Sequence, residues 1–244
     1  MGAESDFDRR ALESALEWWR DAGVDAAVED APCDWFAKAS PLSLAPSPAP
    51  VGEPEDAALL PENWDDFLAW RNGRHAPEAS WLGAGVLASG PADATVMVLS
   101  DVPDREDCER GLLLAGEAGR LFDRMLAAIG LARESTHLAS VCAKRPAGGR
   151  VSRSDQERLG EVARRHVELV SPERLLLMGD AASRAVLGTE AVRARGRVHV
   201  INHKSGRTEV VASFHPRFLL ANPGRKREAW IDLQMLIRGS GNEG

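Results

Sequence analysis

The sequence predicts an α/β protein of three layers, α/β/α, whose mainly parallel central sheet carries helices on both faces. From about residue 95, short runs of Val, Leu and Met alternate with longer amphipathic segments. Near-continuous apolar runs are typical of parallel strands buried on both faces, and strict alternation of the two patterns favours a wound sheet. At 244 residues, with 44% hydrophobic and 27% charged residues, the chain is long enough for one such domain and an appended segment.

The first 55 residues differ in pattern from the rest of the chain. Residues 8–21 have the apolar spacing of an amphipathic helix, and residues 40–50 are rich in Pro, Ser and Ala. We therefore predict an N-terminal helical appendage with a Pro-rich linker over residues 1–55 and an α/β domain over residues 56–240. That domain should open with a helix at 61–70, where a proline and acidic residues occupy the first turn.

The elements of the sheet domain follow from local signals. Strands are expected where β-branched and other apolar residues form short runs, and helices where the apolar spacing is 3 to 4 residues. Ser152 is a typical helix N-cap. The expected strands are 95–99, 136–143, 173–178, 198–201 and 209–213, and the expected helices are 116–129, 152–170, a helix from 180, and 225–237.

Composition argues against several classes of protein. No run approaches the roughly 18 apolar residues that span a bilayer, and no basic region followed by an apolar one opens the chain, so we expect a cytoplasmic protein without membrane contact. Cys33, Cys108 and Cys142 form no Cys-x-x-Cys pair, which argues against a disulfide framework or a zinc site. Three thiols from one chain cannot ligate a four-cysteine iron–sulfur cluster. We expect no metal and no cofactor.

Charge is divided along the chain. Residues 1–130 carry 10 Lys or Arg and 25 Asp or Glu, whereas residues 131–244 carry 20 and 12. Such segregation suggests a basic face that meets a polyanion, although exposed helices of different charge give the same division.

Two side chains stand where expected strands end. Asp101 follows the first strand, and His215 follows the last, and ligands of open α/β sheets bind at this edge. Each has a structural alternative, because an Asp before Pro often forms a turn and a His before a helix often caps it. The basic loop 144–150 can approach phosphates through guanidinium groups and backbone amides, or it can be a solvated loop.

Several blocks of this chain, in order, resemble the uracil-DNA glycosylase superfamily and are closest to its type-four, iron–sulfur branch. The resemblance runs from about Val96 to the last helix. The strongest matches are Gly116-Glu-Ala-Gly-Arg-Leu-Phe-Asp-Arg-Met-Leu and Phe214-His-Pro-Arg-Phe-Leu-Leu-Ala-Asn-Pro223, with Lys144-Arg-Pro and Leu175-Leu-Leu-Met-Gly-Asp between them.

The resemblance implies a four-stranded parallel sheet, binding of damaged DNA and flipping of a damaged base into a pocket before hydrolysis of its glycosidic bond. It places Ser100-Asp-Val-Pro-Asp104 at the family's Gly-Glu-Ala-Pro-Gly motif. Asp101 then stands at the water-activating carboxylate, and His215 at the histidine that stabilises the departing base. It also implies a base pocket and a DNA-contacting set. The pocket residues are Val102, Leu114 and Ser140, and the DNA-contacting residues are Lys144, Arg145, Arg150, Ser213, Arg217, Leu219, Arg225 and Lys226, with Leu219 or Leu220 as the wedge.

The chain also departs from the family's pattern. Leu114 replaces the aromatic residue that stacks on the base, Ser140 replaces the asparagine that reads the uracil edge, and Asp104 replaces a glycine. The cluster cysteines are missing, and one of them aligns with Lys144. In the family the cluster has a structural and not a catalytic role, so the fold and reaction can tolerate its loss. We therefore expect a protein without the cluster.

The leading hypothesis is a base excision repair glycosylase that removes uracil or a related deaminated base, and a monomer is the expected state. The main alternative is a catalytically inactive module of the same fold that binds DNA or protein. A nucleotide or sugar-phosphate hydrolase is a third reading, but the chain contains no Walker A or Gly-x-Gly-x-x-Gly motif.

Overall fold

The computed structural model describes residues 60–149 and 151–238. The predicted N-terminal appendage, residues 1–55, and the predicted DNA contact Arg150 lie outside the described residues.

The sheet has five strands, in the order β2-β1-β3-β5-β4. Their bounds are β1 Val96–Ser100, β2 Thr136–Ser140, β3 Arg174–Met178, β4 Val198–His203 and β5 Gly206–Ser213. Strands β2, β1, β3 and β5 are parallel, which confirms the mainly parallel sheet. The fifth strand, β4, pairs antiparallel with β5, because a short turn and not a crossover helix joins the two.

The helices fall close to the predicted positions. Their bounds are α1 Trp64–Arg71, α2 Arg105–Arg110, α3 Gly116–Ala128, α4 Arg153–Val170, α5 Asp180–Leu187, α6 Ala191–Ala194, α7 Pro216–Ala221 and α8 Lys226–Arg238. Ser152 caps α4, as expected, by accepting a hydrogen bond from the Asp155 amide. The short helices α2, α6 and α7 have no counterpart among the predicted helices. Within the described residues, no helix combines the length and apolarity that a membrane span requires.

Each face of the sheet has its own apolar core, which confirms the three-layer architecture. Alternate residues of a strand point to opposite faces. Val96 and Val98 of β1 pack with α3, α7 and α8, whereas Met97 and Leu99 pack with α4, α5 and α6. We call these the α3/α8 face and the α4/α5 face.

A buried ion pair fastens the segment after α1 to the end of β2. Arg71 Nη1 lies 2.9 Å from Glu78 Oε1, and both side chains are almost fully buried. Arg71 Nη2 also donates to the Val141 carbonyl, and Glu78 Oε1 accepts from the Ala143 amide at 2.7 Å. Burial lowers the pKa of Arg71, although Glu78 opposes this change. The pair is therefore a buried charge network in which each partner depends on the other.

Glu78→Ala is expected to lower the free energy of unfolding by about 3–5 kcal/mol, because it leaves the Arg71 charge buried and unpaired. Urea unfolding at pH 7 measures the change. Glu157→Ala, at an exposed position of α4, is the control and should change stability by less than about 0.5 kcal/mol. Equal stability of the two variants would contradict a buried charge pair.

Candidate active site at the carboxyl end of the sheet

The four parallel strands end together. Ser100 of β1 pairs in register with Ser140 of β2 and Met178 of β3, and Met178 pairs with Ser213 of β5. The segments that leave these strands therefore meet at one edge of the sheet. Both predicted catalytic residues, Asp101 and His215, lie at this edge.

Asp101 is held at the N-terminus of α5. Its Oδ1 accepts hydrogen bonds from the backbone amides of Ala181 at 2.7 Å and Ala182 at 3.0 Å. Burial raises the pKa of Asp101, an effect that these two hydrogen bonds and the Arg217 charge partly offset. Gly179 lies against the carboxyl group with φ of 103°, and a Cβ there would come within 2.2 Å of Asp101 Oδ2. Asp101 thus has a structural role at the start of α5, which differs from the local turn that the sequence raised as an alternative. Its Oδ2 accepts no hydrogen bond from the described residues.

His215 is held from both sides of its ring. Its Nδ1 accepts from the Arg217 amide at 3.1 Å, which caps α7, and its Nε2 lies 3.1 Å from Ser100 Oγ. Burial, together with a smaller contribution from the Arg217 charge, lowers the pKa of His215 to about 3. The ring is therefore neutral near pH 7. Because Nδ1 accepts the amide hydrogen, the ring proton is on Nε2. Capping and a site role are compatible here, since capping uses only Nδ1.

A charged network fixes the segment that leads to His215. Ser213 Oγ donates to Asp232 Oδ2 at 2.9 Å, and Arg195 binds both oxygens of Asp232, at 3.0 and 3.2 Å. The Arg195 guanidinium also stacks over Phe214, 4.7 Å from the ring centre. Ser213 is 0% exposed, so the predicted DNA contact of Ser213 does not fit its place in the structure. Its hydroxyl anchors β5 to α8.

Three chain segments at this edge meet at Asp104. Arg217 Nη1 and Arg145 Nη1 both pair with Asp104 Oδ1, the latter at 3.4 Å, and Arg145 also donates to the Pro103 carbonyl at 2.8 Å. Asp104 therefore joins the segments that follow β1, β2 and β5. Two guanidinium groups predicted to contact DNA are held by this one carboxylate.

The predicted base pocket is only partly assembled. Leu114 and Ser140 lie on the α3/α8 face or at its edge, whereas Val102 packs with the core of the α4/α5 face. Ser140 Oγ donates its proton to the Cys142 carbonyl at 2.7 Å. The side chains of Val102 and Leu114 thus belong to different apolar cores, which does not fit a shared pocket.

Leu114 has an unusual backbone conformation. It is 2% exposed and its φ is 50°, a left-handed value that costs a non-glycine residue of order 1–3 kcal/mol. Arg133 maintains it by donating to the carbonyls of Leu113 at 2.8 Å and Leu114 at 2.6 Å. Asp107 Oδ1 accepts from the next amide, Ala115, at 2.7 Å. Strained backbone of this kind is concentrated at functional sites.

Basic side chains after β5 are accessible. Arg225 and Lys226 are exposed, and Arg225 pairs with Glu228 at 2.6 Å. Leu219, however, is 1% exposed and belongs to the core, whereas Leu220 is 37% exposed. The prediction of a DNA contact for Leu219 therefore does not fit the structure, and Leu220 is the leucine that can reach a partner.

Lys144 has a local structural role. Its ammonium group donates to the carbonyls of Ala79 at 2.9 Å and Trp81 at 3.0 Å. It lines a cavity of about 610 Å³ together with Arg71, Arg74 and Glu78. Neither Asp101 nor His215 lines this cavity, so it is separate from the strand-end site.

The residues present do not fit the iron–sulfur cluster of the type-four branch. The described residues contain two cysteines, Cys108 and Cys142, whereas such a cluster needs four thiolates. Burial raises the pKa of the Cys142 thiol to about 12, which disfavours the thiolate that a cluster needs. Residues 60–149 and 151–238 contain no group of three or more His, Cys, Asp or Glu side chains placed to hold a metal ion.

Sequence reasoning missed several residues that shape the site: Ser100, Asp107, Arg133, Arg195 and Asp232. The sequence does indicate that Asp232 is buried, because it lies on the same helical face as the apolar Ala229, Leu233 and Leu236. A carboxylate on an apolar face indicates a buried partner. No sequence pattern indicates the role of Arg133, since it donates to backbone carbonyls, which every residue has.

The His215 imidazole is expected to stay neutral from pH 8 to pH 5, because its folded-state pKa lies near 3. In the unfolded chain this histidine has its ordinary pKa of about 6.5, so at pH values below 6.5 it is protonated there but not in the folded protein. The group therefore lowers the free energy of unfolding as the pH falls. Imidazole ¹⁵N NMR should show a protonated Nε2 and an unprotonated Nδ1 throughout. A His215 midpoint above pH 5.5 would contradict the buried, neutral ring.

The sequence of this chain is similar to those of known proteins. A family model described as "Uracil DNA glycosylase superfamily" matches residues 87–234. The type-4 uracil-DNA glycosylase of Archaeoglobus fulgidus is 26% identical over 154 residues, which are 60% of this chain and 77% of that protein. The type-4 uracil-DNA glycosylase of Thermotoga maritima is 27% identical over 139 residues, 56% of this chain and 72% of that protein. The matched region contains all five strands and the strand-end site, and the chain belongs to the uracil DNA glycosylase superfamily.

Proposed function

We propose that this protein is a DNA glycosylase that hydrolyses the N-glycosidic bond of uracil, or a related deaminated base, flipped out of DNA. The observation that carries the proposal is the strand-end site itself: a carboxylate with one free oxygen and a neutral imidazole, held by backbone amides at one edge of the sheet. Membership of the superfamily and the similarity to proteins named type-4 uracil-DNA glycosylases support it.

Asp101 is the general base of the proposed reaction. Its Oδ1 is bound by two amides, which leaves Oδ2 to orient a water and accept its proton. The water oxygen bonds to C1′ of the deoxyribose as the bond from C1′ to the base nitrogen breaks. The bonding electron pair leaves with the base, and the products are an abasic site and the free base.

His215 stabilises the negative charge that develops on the base. A neutral imidazole with its proton on Nε2 is a hydrogen-bond donor that needs no proton transfer to act. The two restraints on its ring keep Nε2 directed toward Ser100, along the row of strand ends. Such preorganised donors stabilise a transition state without reorganising during the reaction.

DNA approaches the edge that carries Arg145, Arg217, Arg225 and Lys226. Guanidinium and ammonium groups bind phosphates, and the exposed Leu220 is the proposed wedge in the duplex. Leu114 and Ser140 are the proposed walls of the base pocket. Both are buried in the DNA-free protein, so entry of a base requires a shift of the strained loop that carries Leu114.

Asp101→Asn and His215→Ala are each expected to reduce base release by at least about 100-fold, because they remove the general base and an anion-stabilising donor. Single-turnover cleavage assays on oligonucleotides with uracil, hypoxanthine or xanthine measure the rate, and gel shift measures DNA binding. Binding should stay within about threefold of wild type. Wild-type rates in both variants would remove this mechanism, and DNA binding without release of any of the three bases would contradict the glycosylase.

Asp104→Asn is expected to tighten DNA binding by about 3- to 10-fold, because it frees Arg145 and Arg217 for phosphates and removes a negative charge from the edge. The logarithmic dependence of the association constant on salt should steepen by about one unit. Fluorescence anisotropy at several salt concentrations measures both. Asp65→Asn, the same charge change at an exposed position of α1, is the control. Weaker binding by Asp104→Asn would show that the carboxylate orients the arginines for DNA.

A further inference from the structure

We propose that the Ser100 hydroxyl is the hydrogen-bond donor that contacts the departing base, and that His215 acts through it. This inference rests on the proposed glycosylase function and extends it to a residue outside the predicted site. Ser100 stands where the family motif has glycine, so the side chain is an addition to that motif.

The hydroxyl groups at the strand ends differ in how their protons are used. Ser140 donates to the Cys142 carbonyl, and Ser213 donates to Asp232. Ser100 Oγ has one polar contact among the described residues, the Nε2 atom of His215 at 3.1 Å. Of these three serines, only Ser100 has a hydroxyl proton without an acceptor in this part of the chain.

The tautomer of His215 fixes the direction of that contact. Since the Arg217 amide donates to Nδ1, the neutral ring carries its proton on Nε2 and must donate to Ser100 Oγ. A serine oxygen that accepts one hydrogen bond can still donate its own proton. Ser100 is 3% exposed and His215 is 4% exposed, so water does not compete freely for either group.

The two groups form a relay from the imidazole to the base. Nε2–H donates to Ser100 Oγ, and Oγ–H donates to the carbonyl oxygen of the base on which negative charge develops. Hydrogen bonds in such a chain polarise one another, so the imidazole strengthens the serine as a donor. No proton is transferred along the relay; both groups stabilise the anion by hydrogen bonding alone.

Ser100 also lies next to the proposed pocket. It pairs in register with Ser140 on the neighbouring strand, and paired residues of parallel strands point to the same face about 4.8 Å apart. Because the Ser140 proton is already used, Ser140 can only accept a further hydrogen bond. The row therefore presents a donor at Ser100 and an acceptor at Ser140, which matches the adjacent C2 carbonyl and N3–H of uracil and not the unprotonated N3 of cytosine.

The test compares single-turnover base release from a uracil oligonucleotide by wild type, Ser100→Ala, Ser100→Gly, His215→Ala and the Ser100→Ala/His215→Ala double variant. The two Ser100 variants should be about 10- to 1,000-fold slower than wild type, with DNA dissociation constants within about threefold. The double variant should be no slower than the slower single variant. Ser205→Ala, in the exposed β4–β5 turn, is the matched control and should retain the wild-type rate.

A better leaving group provides a readout that a structural role would not change. The anion of 5-fluorouracil is more stable than that of uracil. With a 5-fluorouracil oligonucleotide, the ratio of the wild-type rate to the Ser100→Ala rate should therefore be at least about fivefold smaller than with uracil. Wild-type uracil release by Ser100→Ala, or rate losses that multiply in the double variant, would overturn the relay and leave the glycosylase proposal intact. Absence of base release by wild type would overturn both.

Imidazole ¹⁵N NMR tests the contact without any substrate. Ser100→Ala should shift the Nε2 resonance of His215 and leave Nδ1 unprotonated, and thermal unfolding confirms that the variant is folded. Ser100→Gly, which restores the family's residue, is the second variant if the alanine variant does not fold. An unchanged Nε2 resonance in the folded variant would overturn the proposal.

Discussion

The shared end of four parallel strands is the constraint on which the site depends. Their register aligns Ser140, Ser100, Met178 and Ser213 in one row, so the chain segments that follow must emerge side by side. Asp101 and His215, 114 positions apart in the sequence, are brought to one edge by the pairing of the strands that precede them. The core on each face of the sheet keeps the row in place. The positions of the site residues therefore follow from strand pairing, and their side-chain contacts then orient them.

Backbone amides then set the electrostatics of this edge. Two amides at the start of α5 bind one oxygen of Asp101, and the Arg217 amide binds one nitrogen of His215. Each group keeps one polar atom for other contacts. Burial has opposite effects on the two, since it raises the pKa of the acid and lowers the pKa of the imidazole. The carboxyl group is thereby made a stronger base, and the imidazole is kept a neutral donor.

The sequence predicted the five strands and the helices of eight residues or more, because apolar runs and helix caps are local signals. It did not predict the short helices α2, α6 and α7. It also placed Asp101 and His215 at strand ends. It could not show that β4 is antiparallel, since strand direction depends on how the hairpin closes. Nor could it distinguish Leu219 from Leu220, which are adjacent residues on α7 with very different burial. The roles of Ser100, Ser213 and Arg133 depend on contacts between residues far apart in the chain, and local pattern carries no information about these.

A crystal structure of the Asp101→Asn variant with a uracil-containing DNA oligonucleotide tests the central claim most directly. The account predicts a flipped uracil at the carboxyl end of the sheet, its C1′ facing residue 101 and its O2 within about 3.2 Å of Ser100 Oγ. DNA phosphates should lie against Arg145 and Arg217. A uracil that remains stacked in the DNA, or one bound away from the row of strand ends, would contradict the account.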